Sequence, residues 1–202
     1  NDGGTIEATG GDSSGTEIGA GAGIGGGGLC CEDYWYYAGV IKIFGGSVEA
    51  TGGAAYYTYF GEYCGAAGIG SGARHGNFHA FSNDVTIEIT GGLFDATGAV
   101  GAAGIGGSAN GSSGPITIGG NAKVTAVGNA DSIWGGAGIG GGDNGSSGPI
   151  TIQGDAEVQA TGSGSAAGIG SGGNGGGGAT EITIKGNAQV TASTTFGAGI
   201  GG

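Results

Sequence analysis

Three carboxylates occupy the same place in three copies of one phrase: Glu7 in TIEATG (5–10), Glu49 in SVEATG (47–52) and Asp95 in LFDATG (93–98). If those phrases stack in register as neighbouring strands, the carboxylates lie about 4.8 Å apart. Like charges that close are unfavourable unless a cation, a shifted pKa or solvent relieves them. Oxygen ligands in a row suit calcium, so Glu7, Glu49 and Asp95 make a candidate calcium ladder, with a solvated acidic stripe as the plain alternative. The later copies carry Thr125, Gln159 and Thr191 at this place, so such a ladder would end at the third copy.

The other reactive side chains are few. Cys30, Cys31 and Cys64 are an odd number, which allows at most one intrachain disulfide. Their spacing matches no zinc pattern, and an extracellular setting favours a bridge from Cys64 to Cys31, or to Cys30 instead. His75 and His79 are four residues apart, a metal-ligand spacing only on a helix, and their surroundings do not read as one. Neither histidine is tied to a nucleophile, so no catalytic triad emerges and no catalytic residue is assigned. The NGSSGP segments at 110–115 and 144–149 read as turns in which proline starts the next strand.

Aromatic residues are concentrated rather than spread. All seven tyrosines lie between positions 34 and 63, in EDYWYYAGV and AAYYTYFGEYC. Tyr34, Trp35, Tyr36, Tyr37, Tyr56, Tyr57, Tyr59 and Phe60 therefore belong to inserted loops, at about 29–39 and 53–64. A third insertion at about 73–84 adds Phe78 and Phe81. Three readings stay open: a satellite core covering the first part of the fold, a protein interface, or a stacking platform for sugar rings.

What must position these residues is a repeat. One glycine phrase occurs six times, as GAGIGGGG (21–28), GAAGIGSG (65–72), GAAGIGGS (101–108), GGAGIGGG (135–142), SAAGIGSG (165–172) and FGAGIGG (196–202). Its isoleucines are Ile24, Ile69, Ile105, Ile139, Ile169 and Ile200, at intervals of 45, 36, 34, 30 and 31 residues. Periods of this size mark solenoids, propellers or arrays. Between the glycine phrases recur an Ile-x-Ile piece (41–43, 87–89, 116–118, 150–152, 182–184) and the phrase that carries the carboxylates. Both alternate with period two, as half-buried strands do.

Strands this short cannot hold a sheet alone, but stacked coil on coil they pair in parallel and line up their isoleucines, valines and alanines in columns. The expectation is an all-β parallel β-helix, a β-solenoid of about six coils with three short strands each. Right-handed crossovers are the default. Glycine pairs such as Gly45-Gly46 and Gly91-Gly92 mark corners, and the remaining glycines are expected to face outward. A propeller would need hairpins, and a leucine-rich horseshoe needs more than two leucines.

Composition sets the outer limits. Glycine makes up 59 of 202 residues, yet two prolines and the absence of a three-residue period exclude collagen, and 37% hydrophobic residues at regular places argue against disorder. A net charge of −12 repels phosphate backbones and anionic membranes, so neither nucleic acid nor membrane insertion is expected. The length suits a single domain over 1–202. The chain starts at Asn1 and has no methionine, so it reads as a segment of a longer product.

The combination of GAGIGGG, GPITI and ATG resembles the glycine-rich GIGGG repeats of large secreted and cell-wall proteins of anaerobic and gut bacteria. The resemblance implies a right-handed parallel β-helix at an extracellular or cell-surface location, and it transfers no catalytic residue. The first two coils depart from the plain pattern in their longer intervals. The function expected is structural and non-enzymatic: the last coil has an open edge and the first lacks an Ile-x-Ile strand, so copies would stack head to tail into a fibre or surface appendage. The partner is then the chain itself, with no cofactor apart from the candidate calcium. The alternatives are a surface adhesin or carbohydrate-binding module that meets glycans or a host surface, and a polysaccharide-degrading β-helix enzyme. Scattered basic residues weigh against the last of these.

Overall fold

The computed structural model of the chain describes residues 3–13, 19–28, 39–57, 62–73, 81–83, 85–130, 133–174, 178 and 181–202. Three parallel ladders run along it. The first comprises Val40–Ile43, Thr86–Thr90, Ile116–Gly119, Ile150–Ile152 and Ile182–Ile184. The second comprises Thr5–Thr9, Ser47–Thr51, Leu93–Val100, Lys123–Asn129, Glu157–Thr161 and Gln189–Ser193. The third consists of six Ile-Gly pairs, from Ile24–Gly25 to Ile200–Gly201. This is a parallel β-helix.

Each strand pairs with its equivalent one coil away, so like residues meet: Ile116 with Ile150, Val124 with Val158, Ile139 with Ile169. The inward side chains form one continuous core. Ile116, Ile118, Val124, Ala126 and Ile139 are at most 3% exposed and belong to it. Burying each such isoleucine or valine contributes roughly 1.5–3 kcal/mol relative to leaving it in water, which no three-residue strand could gather alone. The corners between first and second strands are glycines of positive φ, at 93° for Gly46 and Gly92, where an L side chain would be strained.

The glycine phrase differs from the expected side-chain-free surface. In the middle coils it is buried throughout, from Gly135 to Gly142 for example. A bend at Gly138 separates its two apolar residues: Ile139 enters the main core, whereas Ala137 is fully buried apart from it. The Ala137 N–H donates to the Gly141 carbonyl, closing a tight loop around Ile-Gly, and Ala22, Ala67, Ala103 and Ala167 make the same bond to the residue four positions on. The chain before and after each loop swings outward as a lateral lobe. The lobes pack by backbone contact, as in Gly142 N–H to Gly111 carbonyl, Gly172 N–H to Gly145 carbonyl and Asp143 N–H to Gly101 carbonyl. Glycine and alanine fill the phrase because backbone meets backbone there.

The insertions enter this frame in different ways. The second contains an antiparallel hairpin, Ala54–Tyr57 against Glu62–Gly65. The tail of the third, Phe81–Asn83, pairs in parallel with Gly111–Ser113. The first NGSSGP segment is therefore a short strand rather than only a turn, and Ser113 is bridged in turn to Ser147 of the second. Asn110 and Asn144 begin the two segments at φ 59° and 56°, joined by a hydrogen bond of 2.9 Å that Asn144 Nδ2 donates to Asn110 Oδ1.

Candidate functional site

The second ladder brings the three carboxylates into one row, as their positions require: Glu7 opposite Glu49, and Glu49 opposite Asp95. All three are exposed on the outer face, where Glu49 and Asp95 line an open depression of about 440 Å³ together with Lys123, Glu157 and Gln159. Among the described residues, no group of three or more His, Cys, Asp or Glu side chains converges to hold a metal ion. Alternation points the three outward side by side rather than inward around one centre. Two cross-coil ion pairs lie elsewhere on the surface: Lys123 to Glu157 at 2.9 Å on the second ladder, two residues before the row's position in the next two coils, and Lys42 to Glu88 at 2.8 Å on the first ladder.

The aromatic candidates lie largely outside the described residues. Tyr34, Trp35, Tyr36, Tyr37, Tyr59 and Phe60 do so entirely, and Tyr56 and Tyr57 are placed only as backbone in the hairpin strand, opposite Tyr63 and Glu62. Cys30, Cys31, His75 and His79 also lie outside. Cys64 is half-buried beside a small cluster of Ala20, Ala55, Ala66 and Ala73, so the disulfide pairing falls on partners that are not described.

Exposed apolar residues that the sequence reading did not single out appear elsewhere. Phe44 is 69% exposed and Leu93 54%, flanking an open corner of about 830 Å³ floored by Gly45, Gly46, Gly91 and Gly92. Alternation did contain the signal for Phe44, since it follows the inward Ile43 and must point out. Ile133, Trp134 and Phe196 are exposed on lateral lobes, where no period announces direction.

Among the described residues, the two ends of the stack present strand edges without a further strand. At one end the edge strands are Thr5–Thr9, Ile24–Gly25 and Val40–Ile43; at the other they are Ile182–Ile184, Gln189–Ser193 and Ile200–Gly201. Core positions open there: Ile6 is 46% exposed against 2% for Val48 beside it, and Ile200 is 46% exposed against 0% for Ile169. Equivalent positions at the two ends hold like residues, Ile6 and Val190, Ala8 and Ala192, Ile24 and Ile200. Among the described residues, the first ladder has five strands where the others have six. Above Val40 and Ile41 lies a cavity of about 400 Å³, walled by Gly25, Gly26, Gly27 and Gly28.

A family model described as a beta helix repeat matches residues 41–73, 150–178 and 182–202. Each match begins on the first isoleucine of an Ile-x-Ile strand, so the unit of the family model is similar to one coil of this stack. No curated protein and no solved structure matched the chain.

Proposed function

We propose that this chain is an extracellular structural protein, a β-solenoid subunit that stacks head to tail through its end coils into a fibre or surface appendage. The observation that carries the reading is the likeness of the two ends. Placing Gln189–Ser193 of one copy against Thr5–Thr9 of the next puts Val190 on Ile6 and Ala192 on Ala8, the kind of contact every internal coil makes with its neighbour. Such a contact is heterologous and does not close, so it propagates. The extracellular location is supported by the likeness to secreted glycine-rich repeats.

Size-exclusion chromatography with negative-stain microscopy tests it. Concentration-dependent assembly into unbranched fibres is expected, and Ile200→Asp, which charges one end face, should reduce it sharply. A persistent monomer with no fibres at high concentration would overturn the reading.

A surface adhesin or carbohydrate-binding module is the second reading. It is favoured by the exposed ring of Phe44 beside a corner whose glycine floor is open to solvent. Binding of a neutral glycan that is lost in Phe44→Ala would support it, and an empty glycan array at micromolar concentration would remove it.

A further inference from the structure

The geometry points to a binding site for an uncharged glycan chain, laid along the corner between the first and second ladders with one sugar ring against Phe44. Such a site rests on the carbohydrate-binding reading and is independent of head-to-tail stacking. It is built from consecutive coils through Gly45-Gly46, Gly91-Gly92 and Gly120-Asn121, all of them described residues.

The corner changes character part-way along the stack. In the later coils it holds a polar side chain, in Gly120-Asn121-Ala122, Gly154-Asp155-Ala156 and Gly186-Asn187-Ala188. Asn187 Nδ2 donates to Asp155 Oδ1 at 2.9 Å, so these side chains form a polar column from coil to coil. After Phe44 and after Thr90 the corner shrinks to Gly-Gly, and the column has no member there. A depression of about 830 Å³ opens where it stops, a size that suits a small-ligand site. Asn121 ends the column on this side, and its Oδ1 lies 2.9 Å from where a Gly91 Cβ would stand. A Cβ at Gly45 would meet nothing within 4 Å.

The walls define the ligand. Phe44 is 69% exposed and supplies a ring whose electron-rich face attracts the C–H face of a sugar. Leu93, 54% exposed, stands on the other side. The Gly46 and Gly92 carbonyls accept from the Leu93 and Lys123 N–H groups one coil on, both at 2.8 Å, whereas among the described residues neither glycine's own N–H has a partner. A floor of donors without free acceptors suits an extended peptide poorly, because the peptide's own N–H groups would go unanswered. A sugar hydroxyl accepts as well as donates, so it can meet the glycine N–H groups and Asn121 Oδ1 alike. No charged side chain is among the described residues that line the corner, and the chain carries −12. A uronate would therefore meet repulsion with no cation to offset it.

The test presents the full 202-residue chain to immobilised neutral hexasaccharides of β-glucan, mannan, xylan and chitin. Hexagalacturonate and the uncharged peptide GPITIGGN, the chain's own residues 114–121, serve as comparison probes. Binding of a neutral hexasaccharide is expected, with the uronate and the peptide at least about tenfold weaker. Phe44→Ala should weaken binding about tenfold and Asn121→Ala about fivefold. Both side chains are exposed, so the circular dichroism of each variant should stay that of the parent. Hydrogen exchange at Gly46 and Gly92 should slow when the glycan binds. If no neutral glycan binds, the carbohydrate reading and this site fall together. If one binds equally well to folded Phe44→Ala and Asn121→Ala variants, the carbohydrate reading stands and the corner is not its site. Equal binding of the uronate would overturn the preference for an uncharged chain, and equal binding of the peptide would overturn a glycan as the ligand.

Discussion

Gly140 holds the place in its coil that Gly70, Gly106 and Gly170 hold in theirs, and the constraint on each is twofold. Its φ is 133°, and a Cβ there would run into the carbonyl oxygen of Gly170 one coil on. A methyl group must therefore strain the backbone and push two coils apart. Gly140→Ala should lower stability by more than about 1 kcal/mol, the size of the gain such a change brings only where the backbone is compatible, measured as a shift in thermal midpoint. The neighbouring Ile139 is constrained by water instead: it is 0% exposed, so Ile139→Asp buries an unpaired charge at a cost of several kcal/mol. A soluble variant of parental stability would contradict its placement. On the surface the scale is smaller, and Lys123→Ala should cost no more than about 1 kcal/mol, because both partners of its ion pair are more than half exposed.

The ladder is the element that turns these residues into a fold, and its register was legible before any coordinates. Ile-x-Ile at a steady interval, with valine and alanine alternating in the next phrase, leaves parallel stacking as the arrangement that buries every set at once, and the ladders pair on those residues. The row Glu7, Glu49 and Asp95 was legible for the same reason, since register follows from the pattern. What stayed hidden is the lateral lobe. It is held by glycine backbone against glycine backbone, as between Gly142 and Gly111, and a contact without side chains leaves no periodicity to read. The direction of Phe196 and Trp134 is hidden too, because they lie on irregular chain. Register makes its own prediction. Glu49→Lys places a cation between Glu7 and Asp95, replacing two like-charge contacts with two opposite ones. The variant should be more stable at low ionic strength by up to about 1 kcal/mol, and the gain should shrink as salt is raised. A gain independent of salt would mean that the three do not sit side by side.

For the whole molecule, the decisive features are charge and ends. At −12, copies approaching end to end repel one another, while the apolar faces around Ile6 and Ile200 draw them together. Raising salt shortens the reach of the repulsion to about 8 Å at physiological ionic strength and leaves the apolar contact intact, so assembly should strengthen with salt. The most direct measurement is hydrogen exchange, read by mass spectrometry across the chain, below and above the concentration at which larger species appear. The account predicts that Thr5–Thr9 and Gln189–Ser193 exchange quickly in dilute solution and become protected together as concentration rises, while Lys123–Asn129 in the middle of the stack is slow throughout. If larger species form and both end strands go on exchanging as fast as in the monomer, the coils do not stack through their ends.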